Sequence, residues 1–218
     1  MAVIREHDFV EIEYTGRIKE DNIIFDTSEE KVAKDNGFYS KDVDYSPVVI
    51  CIGENHILKG LEEQMIGKET GKQYSFEIRS ENAFGKKDAK LIQLIPASKF
   101  IQQNIQPVPG LQLNIDGIFV IIKTVSGGRC LVDFNHPLAG KDLIYEVRIN
   151  MVVDDDKEKL MSIVKMYLHI KDAEIELRDN SANIKLKKEI SAQTEGGFKK
   201  IVERTLPRIK NIDFIIKS

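Results

Sequence analysis

Apolar and polar residues alternate along Phe9-Val10-Glu11-Ile12-Glu13-Tyr14 and the pattern ends at Gly16, which predicts a strand with one buried face. Ile23 to Phe25 predicts a short second strand and Val48 to Ile52 a third. Between them, Glu29 to Pro47 is polar and reads as a long surface excursion. After Gly53 the period changes. Leu58, Leu61 and Met65 recur at helical spacing, with Asn55 placed to cap the helix and Gly67 and Gly71 beyond its end. Lys72 to Ile78 returns to period two, with Tyr74, Phe76 and Ile78 on one face.

Past Phe84-Gly85 the composition shifts. Lys86-Lys87-Asp88 reads as a linker, and the next stretch carries its own apolar inventory, from Leu91 and Ile92 through Phe100 to Ile105. Pro107 and Pro109-Gly110 interrupt it. Leu111 and Leu113 then lead into Asp116-Gly117 and Ile118 to Ile122, a hairpin pattern, and Ser126-Gly127-Gly128 turns into Cys130 to Phe134. Residues 86–134 therefore read as a small β-rich inserted domain. Leu143 to Val153, with Tyr145, Val147 and Ile149 on one face, closes the first sheet.

Asp154-Asp155-Asp156 marks a helix start, since acidic residues favour the positive end of the helix dipole. Leu160, Ile163, Val164, Tyr167 and Leu168 form its stripe. Strands follow at Ala173 to Leu177 and Ala182 to Ile190. Gly196-Gly197 then reads as the entry turn of a second helix carrying Phe198, Ile201, Val202 and Leu206, and Ile212 to Ile216 is a last strand. This α-β-β-α-β order predicts a module of about 65 residues with a marginal core of its own.

Of the 218 residues 42% are hydrophobic and 31% charged, and the net charge of −3 supplies no global field for nucleic acid or anionic membrane. Lys185-Leu186-Lys187-Lys188 is most simply a solvated strand edge, so a nucleic-acid partner is not expected. There is no signal-peptide pattern at Met1 and no apolar run of membrane-spanning length, which makes a reducing cytoplasm the expected location. Cys51 and Cys130 are too few for a disulfide framework and read as small buried hydrophobes. His7, His56, His136 and His169 have no metal-ligand spacing, and Gly196-Gly197 lacks a phosphate-binding pattern, so neither metal nor cofactor is expected.

Phe25-Asp26-Thr27-Ser28, the Gly53 turn and Ile57-Leu58-Lys59-Gly60-Leu61-Glu62-Glu63-Gln64-Met65 together resemble the catalytic core of the FKBP-type peptidyl-prolyl isomerases. Asn82-Ala83-Phe84-Gly85 and Asn135-His136-Pro137-Leu138-Ala139-Gly140 fit the same family. Their separation resembles the SlyD-like branch, which carries a domain inserted in its flap, and the C-terminal addition resembles the long archaeal members. The resemblance implies an α+β fold in three parts. Residues 1–85 with 135–153 would form an antiparallel sheet wrapped on a short helix, 86–134 the insert, and 154–218 a separate α+β domain.

The reaction so implied needs no nucleophile. An X–Pro bond has double-bond character and turns over unaided in tens of seconds or longer. A site can act by holding the proline in a dry bowl whose fixed dipoles favour the twisted amide. By resemblance that bowl is Tyr14, Phe25, Ile57, Leu58, Leu61, Phe84, Leu138 and Tyr145, with Asp26 as its charged group, held by Tyr14. Phe84 stands where many relatives have tyrosine, and Leu61 where many have tryptophan. Both changes weaken the expectation of tight macrolide binding.

In the SlyD-like branch the insert binds unfolded chains. Ile92, Leu94, Phe100, Leu111, Leu113 and Phe119 are the candidate client-binding residues, although most must also build the insert's core. The resemblance thus implies an isomerase and folding chaperone acting on unfolded or proline-containing polypeptides. The alternative is an FKBP-fold holdase whose catalysis has lapsed. The C-terminal segment would serve self-association as a homodimer or add client surface.

Overall fold

A long N-terminal strand, β1 (Phe9–Ile18), organises the first sheet, seen in a computed structural model that describes residues 1–115 and 117–216. The strand runs through Gly16 instead of stopping there, because a bulge between Gly16 and Arg17 keeps it paired with β2 (Ile24–Thr27). The polar excursion that follows contains a short helix, α1 (Glu30–Asp35), which buries only Ala33 and so leaves no apolar stripe to read. β3 (Val48–Cys51) pairs with the first half of β1, from Phe9 opposite Cys51 to Ile12 opposite Val48. β2 and β3 thereby share the length of one neighbour. Helix α2 (Lys59–Met65) begins after Leu58; Asn55 takes a left-handed φ of 55° and gives it no cap. β4 (Lys72–Ile78) follows.

The chain divides into two compact units: Met1–Arg17 with Ile24–Phe76 and Ile144–Ser218, and Ile18–Ile23 with Glu77–Leu143. The second holds β5 (Ile92–Pro96), α3 (Ala97–Ile101), β6 (Gln112–Ile115), β7 (Ile118–Ser126) and β8 (Arg129–Asp133). The strands form an antiparallel sheet in the order β5-β8-β7-β6, over a core of Ala97, Phe100, Val120, Ile122, Cys130 and Val132. Ile115 pairs with Ile118 around the expected Asp116-Gly117 turn, of which Asp116 lies outside the described residues.

The last β-strand of the first sheet, β9 (Leu143–Val152), completes the order β2-β1-β9-β4. Helix α4 (Asp156–Ile163) is capped by Asp155, whose carboxylate accepts the Glu158 amide at 2.7 Å, and it continues as a π-helical turn over Val164–Leu168. β10 (Glu174–Arg178), β11 (Ser181–Leu186), α5 (Ala192–Thr205) and β12 (Asn211–Ile216) finish the chain. β10 and β11 are antiparallel, β11 and β12 parallel. The fold is mixed α+β with several antiparallel sheets, and no helix among the described residues is long and apolar enough to cross a membrane.

Two expectations change here. Gly196 and Gly197 lie inside α5, not before it, because Ser191 caps the helix by accepting the Thr194 amide at 3.1 Å. Gly197 is required for space: a Cβ there would sit 2.0 Å from the Tyr167 hydroxyl. Nor does the C-terminal segment have a core to itself. Leu160, Ile163, Val164, Ile184, Phe198 and Val202 form one buried cluster with Phe9 of β1 and Cys51 of β3. The lysines expected on a solvated strand edge are not on one: Lys185 lies in β11, the central strand of its sheet, and pairs with Glu176, while Lys187, just past that strand, pairs with Asp172.

At the root of the insert, the Asn135 side chain bridges both crossings of the chain. Its Oδ1 accepts the Asp88 amide at 2.8 Å, while its Nδ2 donates to the Asp88 carbonyl and, at 2.8 Å, to the buried Asp133 carboxylate. The Asn135 amide and Lys87 also donate to Asp133. Burial opposes ionisation of Asp133, but these partners outweigh it and hold its carboxyl below the usual carboxylate range. A folded-state pKa below the unfolded one stabilises above the unfolded value and is lost as pH falls through the folded one. Asn135→Ala should therefore cost about 1–3 kcal/mol in denaturant unfolding at neutral pH, with the gap to wild type narrowing in acid. Equal stability at neutral pH would show the hub to be idle.

Candidate active site

The FDTS segment is first of all a latch between β1 and β2. Gly16 pairs with Asp26 and Thr15 with Thr27. Ser28 Oγ accepts the Tyr14 amide at 2.8 Å, the Ser28 amide donates to the Tyr14 carbonyl at 2.9 Å, and the Thr15 and Thr27 hydroxyls share a 2.8 Å bond. Thr27 and Ser28 are buried, so these bonds are shielded from water and fix where Phe25 and Asp26 stand relative to Tyr14.

Three rings meet above that latch. Tyr145, from β9, lies 6.0 Å from Tyr14 and 5.9 Å from Phe25 between ring centres, the second pair edge-to-face at 83°. Gly16 makes the approach possible: a Cβ there would come within 2.9 Å of Tyr145 Cε1 and 3.0 Å of Phe25 Cζ. The Tyr14 hydroxyl donates to Asp26 Oδ2 at 3.2 Å. Burial raises the Asp26 pKa, against the opposing bonds from Tyr14 and the Thr27 amide. Burial and the Asp26 charge hold both phenols far above their ordinary range, so each stays a neutral hydroxyl. The result is an aromatic wall bearing one carboxylate.

The loop from Gly53 to Leu58 carries the aliphatic candidates Ile57 and Leu58. Its backbone is tied from within by Glu62 of α2, a buried carboxylate that accepts the amides of Gly53 at 3.0 Å, and of Asn55 and Ile57 at 3.3 Å each. His56 Nδ1 accepts the Cys51 amide at 3.0 Å. Ile57 and Leu58 are half-buried and Leu61 is fully buried. Phe84 and Leu138 belong to the second unit. There Phe84 stacks on His136 at 4.5 Å and 3°, and the Leu138 amide donates to His136 Nδ1.

The insert separates the six client-binding candidates. Phe119 and Leu94 are 62% and 55% exposed, and Ile92 is half-buried. Leu111 and Leu113 pack against the insert core, and Phe100, at 4%, is part of it. Phe100 is thus a core residue that also lines a groove beside β5 with Leu94, Ile95, Ile115 and Phe134.

Sequence reasoning missed Gly16 and Glu62. Gly16 looked like a strand end, and only the rings above it show what it is for. Glu62 did carry a signal, since it falls on the same helical face as Leu58 and Met65, where a solvated carboxylate has no place.

Residues 93–138 match the family model of the FKBP26 IF domain. A short-type peptidyl-prolyl cis-trans isomerase of Methanocaldococcus jannaschii is 33% identical over 156 residues, covering 72% of this chain and 98% of that protein. An FKBP-type 16 kDa peptidyl-prolyl cis-trans isomerase of Escherichia coli is 27% identical over 107 residues, 47% of this chain and 72% of the relative. The peptidyl-prolyl isomerase SlyD of Vibrio cholerae is 31% identical over 128 residues, 56% and 60% of the two chains. With a relative one-third identical aligned along almost its whole length, and SlyD-type proteins among the others, this chain belongs to the FKBP-type peptidyl-prolyl cis-trans isomerases.

Proposed function

We propose that this protein isomerises X–Pro bonds in polypeptides at the wall formed by Tyr14, Phe25, Asp26 and Tyr145, beside Ile57, Leu58 and Leu61. The single observation behind this reading is an ionisable carboxylate set among aromatic rings and held there by the Tyr14 hydroxyl at 3.2 Å. A proline ring is apolar and fits a wall of this kind. The amide to be turned loses resonance at the transition state, and its carbonyl carbon and nitrogen change charge as it twists. A fixed dipole beside it in a water-poor site stabilises that altered distribution without itself reorganising. Phe25 and Tyr145 exclude water, and Tyr14 keeps Asp26 from swinging away.

The insert serves, on this reading, to collect unfolded chains. Leu94 and Phe119, together with the exposed Ile101 and Ile118, present apolar surface on a domain whose core is already filled. β5 and β6 are the outer strands of its sheet, so an extended client can add by backbone pairing and place side chains in the groove beside β5. Carrying the client-binding insert and the isomerising wall on one chain raises the effective concentration of client at the wall.

Asp26→Asn keeps an acceptor for Tyr14 and removes the charge. Peptidyl-prolyl exchange on a short Ala-Leu-Pro-Phe peptide should fall by roughly tenfold or more. The folded-state pKa of Asp26 lies above its unfolded value, so its ionised form costs stability, and that cost appears as pH rises through the folded value. The variant should accordingly match or exceed wild-type stability at neutral pH and lose that advantage in acid. Unchanged exchange would remove Asp26 from the site.

Phe119→Glu tests the insert separately. It should leave tetrapeptide turnover unaltered while slowing catalysed refolding of a proline-limited protein several-fold, because one anchor of about 1–3 kcal/mol is lost. Equal turnover of both substrates would dismiss the division of labour.

A further inference from the structure

The loop that carries Ile57 and Leu58 has a second tether, and it comes from the far end of the chain. Arg204, in the last turn of α5, donates from Nε to Glu54 Oε1 at 2.9 Å and from Nη2 to Glu54 Oε2. This is the forked pairing in which a guanidinium fixes the direction of a carboxylate as well as its charge. The Glu54 side chain is only 5% exposed, whereas that of Arg204 is 60% exposed. A carboxylate so enclosed depends on its cation, and this cation is anchored on a helix whose Phe198 and Val202 are fully buried. We infer that Arg204 is a positioning residue of the isomerase site, through which the C-terminal helix sets the conformation of the Gly53–Leu58 loop.

The charges around the loop fit that role. Burial, Glu54, Glu62 and Asp8 push the neighbouring Cys51 thiol up to about 12, and Arg204 pulls the other way, so three carboxylates and one guanidinium act on a single buried point. Glu62 ties the loop from inside, by its amides. Arg204 ties it from outside, by its one enclosed side chain. Gly53 and Asn55 both take left-handed backbone angles, 93° and 55°, a conformation that an untethered loop leaves readily. Removing the outer tether releases the segment that presents Ile57 and Leu58, while β11, β12 and the core beneath α5 keep their packing.

This inference rests on the isomerase reading, and two readouts keep the two apart. Exchange on Ala-Leu-Pro-Phe is measured for wild type, Arg204→Ala, Arg204→Lys, Glu54→Gln and the Arg204→Ala/Glu54→Gln pair, with amide hydrogen exchange on each. Arg204→Ala should lower kcat/KM by roughly three- to tenfold. The double variant should be no worse than Arg204→Ala alone, as residues acting through one contact are not additive. Lysine restores the charge without the fork, so Arg204→Lys should recover part of the loss. Amides of Gly53 to Ile57 should exchange faster in Arg204→Ala, with those of β11 unaltered. Wild-type activity retained in every variant overturns the positioning role and leaves the isomerase reading intact. Faster exchange throughout the chain, tracking the loss of activity, makes Arg204 merely structural and also overturns it. A wild type without peptide exchange overturns both readings.

Discussion

A carboxylate set among aromatic rings is unfavourable unless something holds it, and the first sheet is arranged around that difficulty. The register of β1 against β2 places Asp26 opposite Gly16, the Thr27 and Ser28 hydroxyls lock that register, and the Tyr14 hydroxyl reaches across to the charge. Gly16 is the condition for the rest. Its missing side chain lets Tyr145 and Phe25 close over the strand, and burial raises the pKa of Asp26 opposite it. Electrostatics and packing here are one constraint seen twice.

Besides Glu54, three enclosed carboxylates are handled in three different ways. Asp133 is surrounded by donors, from Asn135 and Lys87, and is held ionised in spite of burial. Glu62 has its oxygens on loop amides and shapes a backbone. Asp26 is left with fewer donors than burial demands, and its pKa rises. The two with structural tasks each accept several donors; the one whose pKa burial raises lies in the aromatic wall. A carboxyl whose pKa is pushed up by burial beside one specific partner is how functional sites commonly stand out from structural ion pairs.

Much of this was legible in the sequence, for physical reasons that also explain what was not. Period-two and period-3.6 patterns report burial on one face, and they place the strands at Lys72–Ile78 and Leu143–Val152 and the helix at Lys59–Met65. α1 was hidden because it buries one alanine. The start of α5 was hidden because Gly196-Gly197 look like a breaker, when the second of them makes room for Tyr167. Joint ownership of a core has no sequence signal at all: Phe9 and Cys51 read as residues of their own sheet, and nothing local says that Phe198 and Val202 will bury beside them. Phe100 and Phe119 are equally apolar in sequence, and only the packing of α3 and the register of β7 decide that one is core and the other surface.

That shared core bears on why a C-terminal extension persists beside a site it does not enter. A loop bearing Ile57 and Leu58 cannot be rigid through its own contacts, since its residues are few and two of them hold left-handed angles. Rigidity has to come from neighbours that are themselves buried in a core. The strand β3 and helix α2 lie in sequence on either side of the loop and supply it from within, through Cys51 and Glu62. Helix α5 supplies it from a segment some 150 residues away in sequence, and it can do so because Phe198 and Val202 bury in the same cluster as Phe9 and Cys51. Burial fixes the helix, the helix fixes Arg204, and Arg204 fixes Glu54. Each step spans a few ångströms, so the distance along the chain costs the arrangement nothing once the core has formed.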